Sequence, residues 1–109
     1  MSVQMLKSKE EFTKVLNEES IFFLLKHSLT CPISAAAESE YEQFSQHSEI
    51  PCYELFVQDA RDLSNQVASD FDVRHQSPQA ILFKDKQVAW HDSHGNVTKE
   101  RLTKAAVDE

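Results

Sequence analysis

Short apolar runs alternate along this chain with segments whose apolar residues recur every three or four positions, and that alternation limits the possible folds more than any other feature. Residues 21–26 read Ile-Phe-Phe-Leu-Leu-Lys, residues 52–57 read Cys-Tyr-Glu-Leu-Phe-Val, and residues 80–83 read Ala-Ile-Leu-Phe. Runs of this length and continuity suit strands covered on both faces. Between them the period becomes helical. Phe12, Val15 and Leu16 share one face, as do Ile33, Ala37, Tyr41 and Phe44, and then Leu63, Val67 and Phe71.

The boundaries have their own signals. Ser8-Lys9-Glu10-Glu11 reads as a capping box, with Ser8 accepting from the Glu11 amide and Glu11 returning to the Ser8 amide. Asp59 is placed to cap the third helix. Lys84-Asp85-Lys86 reads as a tight connection into a strand over residues 87–91, and Gly95-Asn96 as a turn. Thr98 is placed to cap a last helix, with Val97 and Leu102 as its hydrophobic staple. The expected order is α-β-α-β-α-β-β-α. It implies an α/β fold in one domain over residues 1–109, with a central mixed four-stranded sheet flanked by helices. The only glycine is Gly95, which leaves no glycine-rich phosphate loop.

Eleven Lys and Arg against eighteen Asp and Glu give a formal charge of −7. Nucleic acid and anionic membrane both attract basic patches, so neither is expected as a partner. No run is long enough to span a bilayer, and the first residues lack the basic start and long apolar stretch of a signal peptide, so a cytoplasmic location is expected. Two cysteines in a reducing compartment do not make a disulfide framework.

Cys31 has the most informative surroundings, Thr30-Cys31-Pro32-Ile33-Ser34. Proline is favoured at the first position of a helix, where its missing amide proton costs nothing. Cys31 is then expected at or beside the N-cap, facing free backbone amides and the positive end of the helix dipole. Both favour a thiolate over a thiol, and a thiolate attacks disulfides. The segment also falls between the carboxyl end of a strand and a helix, where open α/β sheets bind ligands. The alternative is a Cys that serves only as a small capping or core residue.

The element order, the Cys-Pro-x-Ser stretch after the first central strand, and Ser77-Pro78 before the third resemble the thioredoxin superfamily. More narrowly, Thr-Cys-Pro-Ile-Ser in an acidic chain of this length resembles the monothiol bacilliredoxins, which work with the low-molecular-weight thiol bacillithiol. The resemblance implies a thioredoxin-like fold with Pro78 in cis and with Ser77 and Pro78 aligning the client backbone. It implies a thiol–disulfide oxidoreductase of oxidative-stress metabolism whose partners are bacillithiolated client proteins. It implies no bound cofactor, bacillithiol being a co-substrate. Pro32 would set the helix start, and Thr30 would shape the approach to Cys31. Two departures from dithiol thioredoxins are visible. Ser34 stands where a second Cys would, so the chain cannot resolve its own mixed disulfide there. Leu25 stands where thioredoxins carry a buried Asp, which puts a proton relay of that type in doubt.

Cys52 is expected as a buried strand residue. It opens a strand at the far end of the sheet, and a helix of about sixteen residues between the cysteines spans about 24 Å, against the Cα separation of about 7 Å that a disulfide tolerates. His27 lies four residues before Cys31 and either approaches its sulfur or simply ends a strand. His91, Asp92 and His94 match no strong metal-ligand spacing, and no metal is expected. Trp90 reads as a strand packing residue, and the acidic run over residues 38–42 as a solvated helix face. The competing functional reading is a non-catalytic thioredoxin-fold binding or stress-response module.

Overall fold

The computed structural model describes residues 3–30 and 32–108. Their elements are β1 (Gln4–Met5), α1 (Lys9–Glu18), β2 (Ile21–His27), α2 (Pro32–Gln46), β3 (Cys52–Phe56), α3 (Arg61–Asp70), β4 (Gln79–Lys84), β5 (Gln87–Ser93), a 3-10 turn at His94–Asn96 and α4 (Lys99–Asp108). The sheet order is β1-β3-β2-β4-β5. β1 and β2 pair parallel with β3, and β4 pairs antiparallel with β2 and β5. The expected order of helices and strands is present. The sheet has five strands rather than four, because Gln4–Met5 adds a two-residue edge strand too short to show a period.

The strand residues alternate between two cores. Phe22, Leu24, Leu55, Ile81 and Phe83 face α1 and α3, joined by Phe12, Leu63 and Val67. Phe23, Leu25, Cys52, Ala80 and Leu82 face α2 and α4, joined by Tyr41, Phe44 and Leu102. Both faces are therefore covered, which is why β2 and β4 read as unbroken apolar runs. Phe22 and Phe83 stack with ring centroids 4.8 Å apart, and Trp90 packs edge-on against Phe23 at 6.3 Å. Tyr41 lies fully buried and donates its hydroxyl to the Tyr53 carbonyl at 2.7 Å, tying α2 to β3. Among the described residues no helix is long and apolar enough to cross a membrane.

Local signals are fulfilled with two corrections. Ser8 Oγ accepts from the Glu11 amide at 3.1 Å, but Glu11 Oε1 accepts from the Lys7 amide at 2.7 Å instead of that of Ser8. Asp59 does not cap α3. The amides of Asp59 and Ala60 both bond to the Phe56 carbonyl, at 3.0 and 2.9 Å, and this turn delays the helix so that Ala60 occupies the N-cap. Thr98 Oγ1 accepts from the Arg101 amide at 3.2 Å, with Val97 and Leu102 buried as the staple requires. The β4–β5 connection is the two-residue turn Asp85-Lys86, both with positive φ, at 52° and 66°. Such a pair matches the twist of a hairpin.

Candidate active site

β2 runs toward α2, and the link between them carries the sequence motif. Cys31 itself lies outside the described residues; Thr30 and Pro32 on either side are described. α2 begins at Pro32, as the missing amide proton predicts. Ile33 is half exposed at 49%, and Leu29 is 55% exposed. Two of the three exposed large apolar side chains among the described residues thus lie within two positions of Cys31.

Ser34 points inward. Its side chain is fully buried, and its Oγ accepts from the Ser28 amide at 3.3 Å. That bond uses a lone pair and leaves the hydroxyl proton free to be donated. Ser28 and Thr30 hydroxyls approach each other at 3.3 Å. Gln58, just after β3, holds this link from outside. Its Oε1 accepts from the Leu29 amide at 3.1 Å, and its Nε2 donates to Ser28 Oγ at 3.0 Å and to Thr30 Oγ1 at 3.5 Å. Nothing in the local sequence pattern singles out Gln58, because its partners are about 30 residues away.

Ser77 and Pro78 reach the same end of the sheet. Lys26 pairs with Gln79 across β2 and β4, so Pro78 comes next to the last residue of β2. The Ser77–Pro78 peptide is cis, as the resemblance implied. The Pro78 carbonyl accepts from the His94 amide at 2.9 Å, and Ser77 Oγ has no hydrogen-bond partner among the described residues.

Ionisable groups are buried on both faces beneath this end. Leu25 is fully buried, yet a carboxyl group stands beside it, since Leu25 pairs with Glu54 in the parallel register of β2 and β3. Burial, then the adjacent Glu38 side chain, then the charge of Glu42, pushes the Glu54 carboxyl up to about 9. His27 Nδ1 lies 3.6 Å from Glu38 Oε2 and 3.7 Å from Glu54 Oε2. Glu38 is therefore not part of a purely solvated face; it folds over the end of β2. On the opposite face Lys26 is fully buried, with Nζ donating to the Ser64 carbonyl at 3.0 Å and 3.4 Å from His75 Nδ1. Burial pulls the Lys26 ammonium down to about 8.

Cys52 is buried at the N-terminal end of β3, paired with Phe23, whereas the β2–α2 link leaves the opposite end of the sheet. Its Sγ donates to the Ile50 carbonyl at 3.4 Å, and burial pushes its thiol up to about 11. It is a protonated packing residue at neutral pH, as expected. His91 and His94 are exposed, and Asp92 pairs with Arg101 at 3.2 Å.

The family model for the monothiol bacilliredoxin BrxC matches residues 4–102. A solved structure described as that of a candidate oxidoreductase with a thioredoxin fold is 38% identical, with a TM-score of 0.91 over 95% of this chain and 93% of that one. Thioredoxin from Malassezia sympodialis superposes with a TM-score of 0.77 at 19% identity, over 98% of this chain and 90% of its own. Thioredoxin from Fasciola hepatica gives 0.79 at 14% identity, over 96% and 97%. At those last two identities the likeness concerns the fold alone.

Proposed function

The chain belongs to the monothiol bacilliredoxin family, thiol-redox proteins of thioredoxin fold, and from that premise we propose that it removes bacillithiol from client proteins through Cys31. The Cys31 thiolate attacks the bacillithiol sulfur of a client–bacillithiol mixed disulfide. The client–bacillithiol S–S bond breaks, a Cys31–bacillithiol S–S bond forms, and the client sulfur leaves as a thiolate that takes up a proton. A second bacillithiol thiolate then attacks the same bacillithiol sulfur, giving bacillithiol disulfide and free Cys31 thiolate. The net reaction converts one mixed disulfide and one bacillithiol thiol into one client thiol and one bacillithiol disulfide.

The observation that carries this reading is the single-thiol motif Thr30-Cys31-Pro32-Ile33-Ser34, whose last three residues open α2. Cys31 is bonded directly to the first residue of a fifteen-residue helix, and helix N-termini favour thiolates. Ser34 occupies the fourth position and has no sulfur with which to resolve the adduct, so clearance falls to an external thiol. Exposed Leu29 and Ile33, two positions before and two after Cys31 in the sequence, offer a client an apolar contact. Ser77 and Pro78 come beside the end of β2 that leads into the motif, and they are assigned to aligning an extended client segment. The proposed chemistry fits a reducing compartment such as the cytoplasm.

The test is turnover on one client carrying bacillithiol or glutathione, each with its own free thiol as reductant. The reading expects faster release from the bacillithiol adduct and no turnover with Cys31→Ser. Equal rates would make the protein a general monothiol exchanger. Absence of turnover with undiminished client binding would favour a non-catalytic binding module.

A further inference from the structure

Beneath the first turns of α2, three potential ligands converge from three elements. His27 ends β2, Glu54 lies in the middle of β3, and Glu38 comes from the second turn of α2. One atom from each, His27 Nδ1 and a carboxylate oxygen of Glu38 and Glu54, lies within 4.8 Å of the other two. His27 and Glu54 are 7% and 4% exposed. Both His27 Nδ1 and Glu54 Oε2 are buried with no hydrogen-bond partner among the described residues, although they face each other at 3.7 Å. Unpartnered buried polar atoms of this kind are costly and uncommon.

We propose that His27, Glu38 and Glu54 form a binding site for a divalent cation of borderline softness, with Zn²⁺ as the best fit. Nitrogen and oxygen ligands 2.0–2.2 Å from a tetrahedral zinc lie about 3.4 Å from each other. The two observed separations, 3.6 and 3.7 Å, come within a few tenths of an ångström of that edge. The Glu38 side chain is 36% exposed, so it has room to close on an ion and gives the ion a route in. Once the ion displaces the proton that burial favours on Glu54, one imidazole and two carboxylates balance a 2+ charge. The imidazole argues against Mg²⁺ and Ca²⁺, which favour all-oxygen ligand sets. Three protein ligands leave a fourth position for water. The net charge of −7 raises the local cation concentration. This site draws on none of the thiol chemistry proposed for Cys31 and stands whether or not bacillithiol is the co-substrate.

The experiment is a zinc titration of the full chain against a chromophoric chelator, with thermal unfolding followed in parallel. Cys31→Ser and Cys52→Ala remove thiolate ligands from consideration. The site predicts one zinc per chain in wild type and in both cysteine variants, with unfolding shifted to higher temperature by the metal. Glu38→Gln, at a half-exposed position that tolerates change, weakens binding about tenfold or more, and His27→Gln abolishes it. Folding of His27→Gln is checked by circular dichroism, and Glu38→Gln carries the test if that variant is unfolded. Binding that vanishes with Cys31→Ser, binding indifferent to Glu38→Gln, or no binding at all would each overturn the proposal.

Discussion

Gln58 Oε1 accepts from the amide of Leu29, two residues before Cys31, at 3.1 Å, and so anchors the end of β3 to the link between β2 and α2. The same side chain also donates to Ser28 and Thr30. Its partners among the described residues are the amide and hydroxyl groups of this link, so it is assigned a positioning role. Gln58→Ala is expected to slow bacillithiol transfer severalfold while lowering stability by no more than about 1 kcal/mol, the usual net worth of solvent-accessible hydrogen bonds. Gln58→Glu keeps an acceptor for Leu29 and should recover part of the rate. A purely structural role would give the reverse pattern, lost stability with an unchanged rate.

Cys52 should be dispensable for exchange. Its thiol stays protonated because burial raises it to about 11, and it lies at the other end of β3 from the link. Cys52→Ala is expected to cost about 1 kcal/mol through lost packing, with unchanged transfer kinetics. Chemical denaturation and single-turnover assays check the two halves separately.

Lys26 gives a signed pH dependence. Its native value, about 8, is below its ordinary 10.5. Between those values the unfolded chain binds more protons than the native one, so stability rises with pH there. Below about pH 8 the penalty for holding the buried ammonium is fully present. Lys26→Met removes the charge at similar volume and gives up the bond to the Ser64 carbonyl. Relative to wild type, this variant should be at its best at pH 7 and lose that advantage steadily toward pH 10. Denaturation curves at four pH values test this, and parallel pH profiles for the two proteins would contradict it.

The hairpin turn holds Lys86 at φ 66°, a left-handed conformation with a steric penalty for residues that carry a Cβ. Glycine removes that penalty but loses more chain entropy on folding. Lys86→Gly is expected to stabilise by about 0.5–1 kcal/mol, since the left-handed penalty of about 1–2 kcal/mol exceeds the entropic cost. Thermal unfolding reads this directly.

The fold was legible because its strands are covered on both faces and its helices are amphipathic, so each kind of element has its own period. What escaped were features set by pairing across the sheet. Glu54 sits inside an apolar run, and only the β2–β3 register places it beside Leu25. Glu38 lies in an acidic run that looks solvated, and only the packing of α2 lays it over His27. Gln58 bonds to residues about 30 positions away, beyond any local pattern. Asp59 looks like a cap, but the turn onto the Phe56 carbonyl moves the helix start past it. The motif at residues 30–34 and the pair Ser77-Pro78 were visible because their chemistry is local: a proline that opens a helix and a proline that precedes a strand.

Intact-mass spectrometry of the reduced protein mixed with a bacillithiolated client asks whether Cys31 takes the bacillithiol. Wild type and Cys52→Ala should each gain one bacillithiol while the client loses it, and Cys31→Ala should gain none. Free bacillithiol should then remove the adduct. An unmodified wild type beside a client that keeps its bacillithiol, or an adduct that persists in Cys31→Ala, would contradict the single-thiol mechanism.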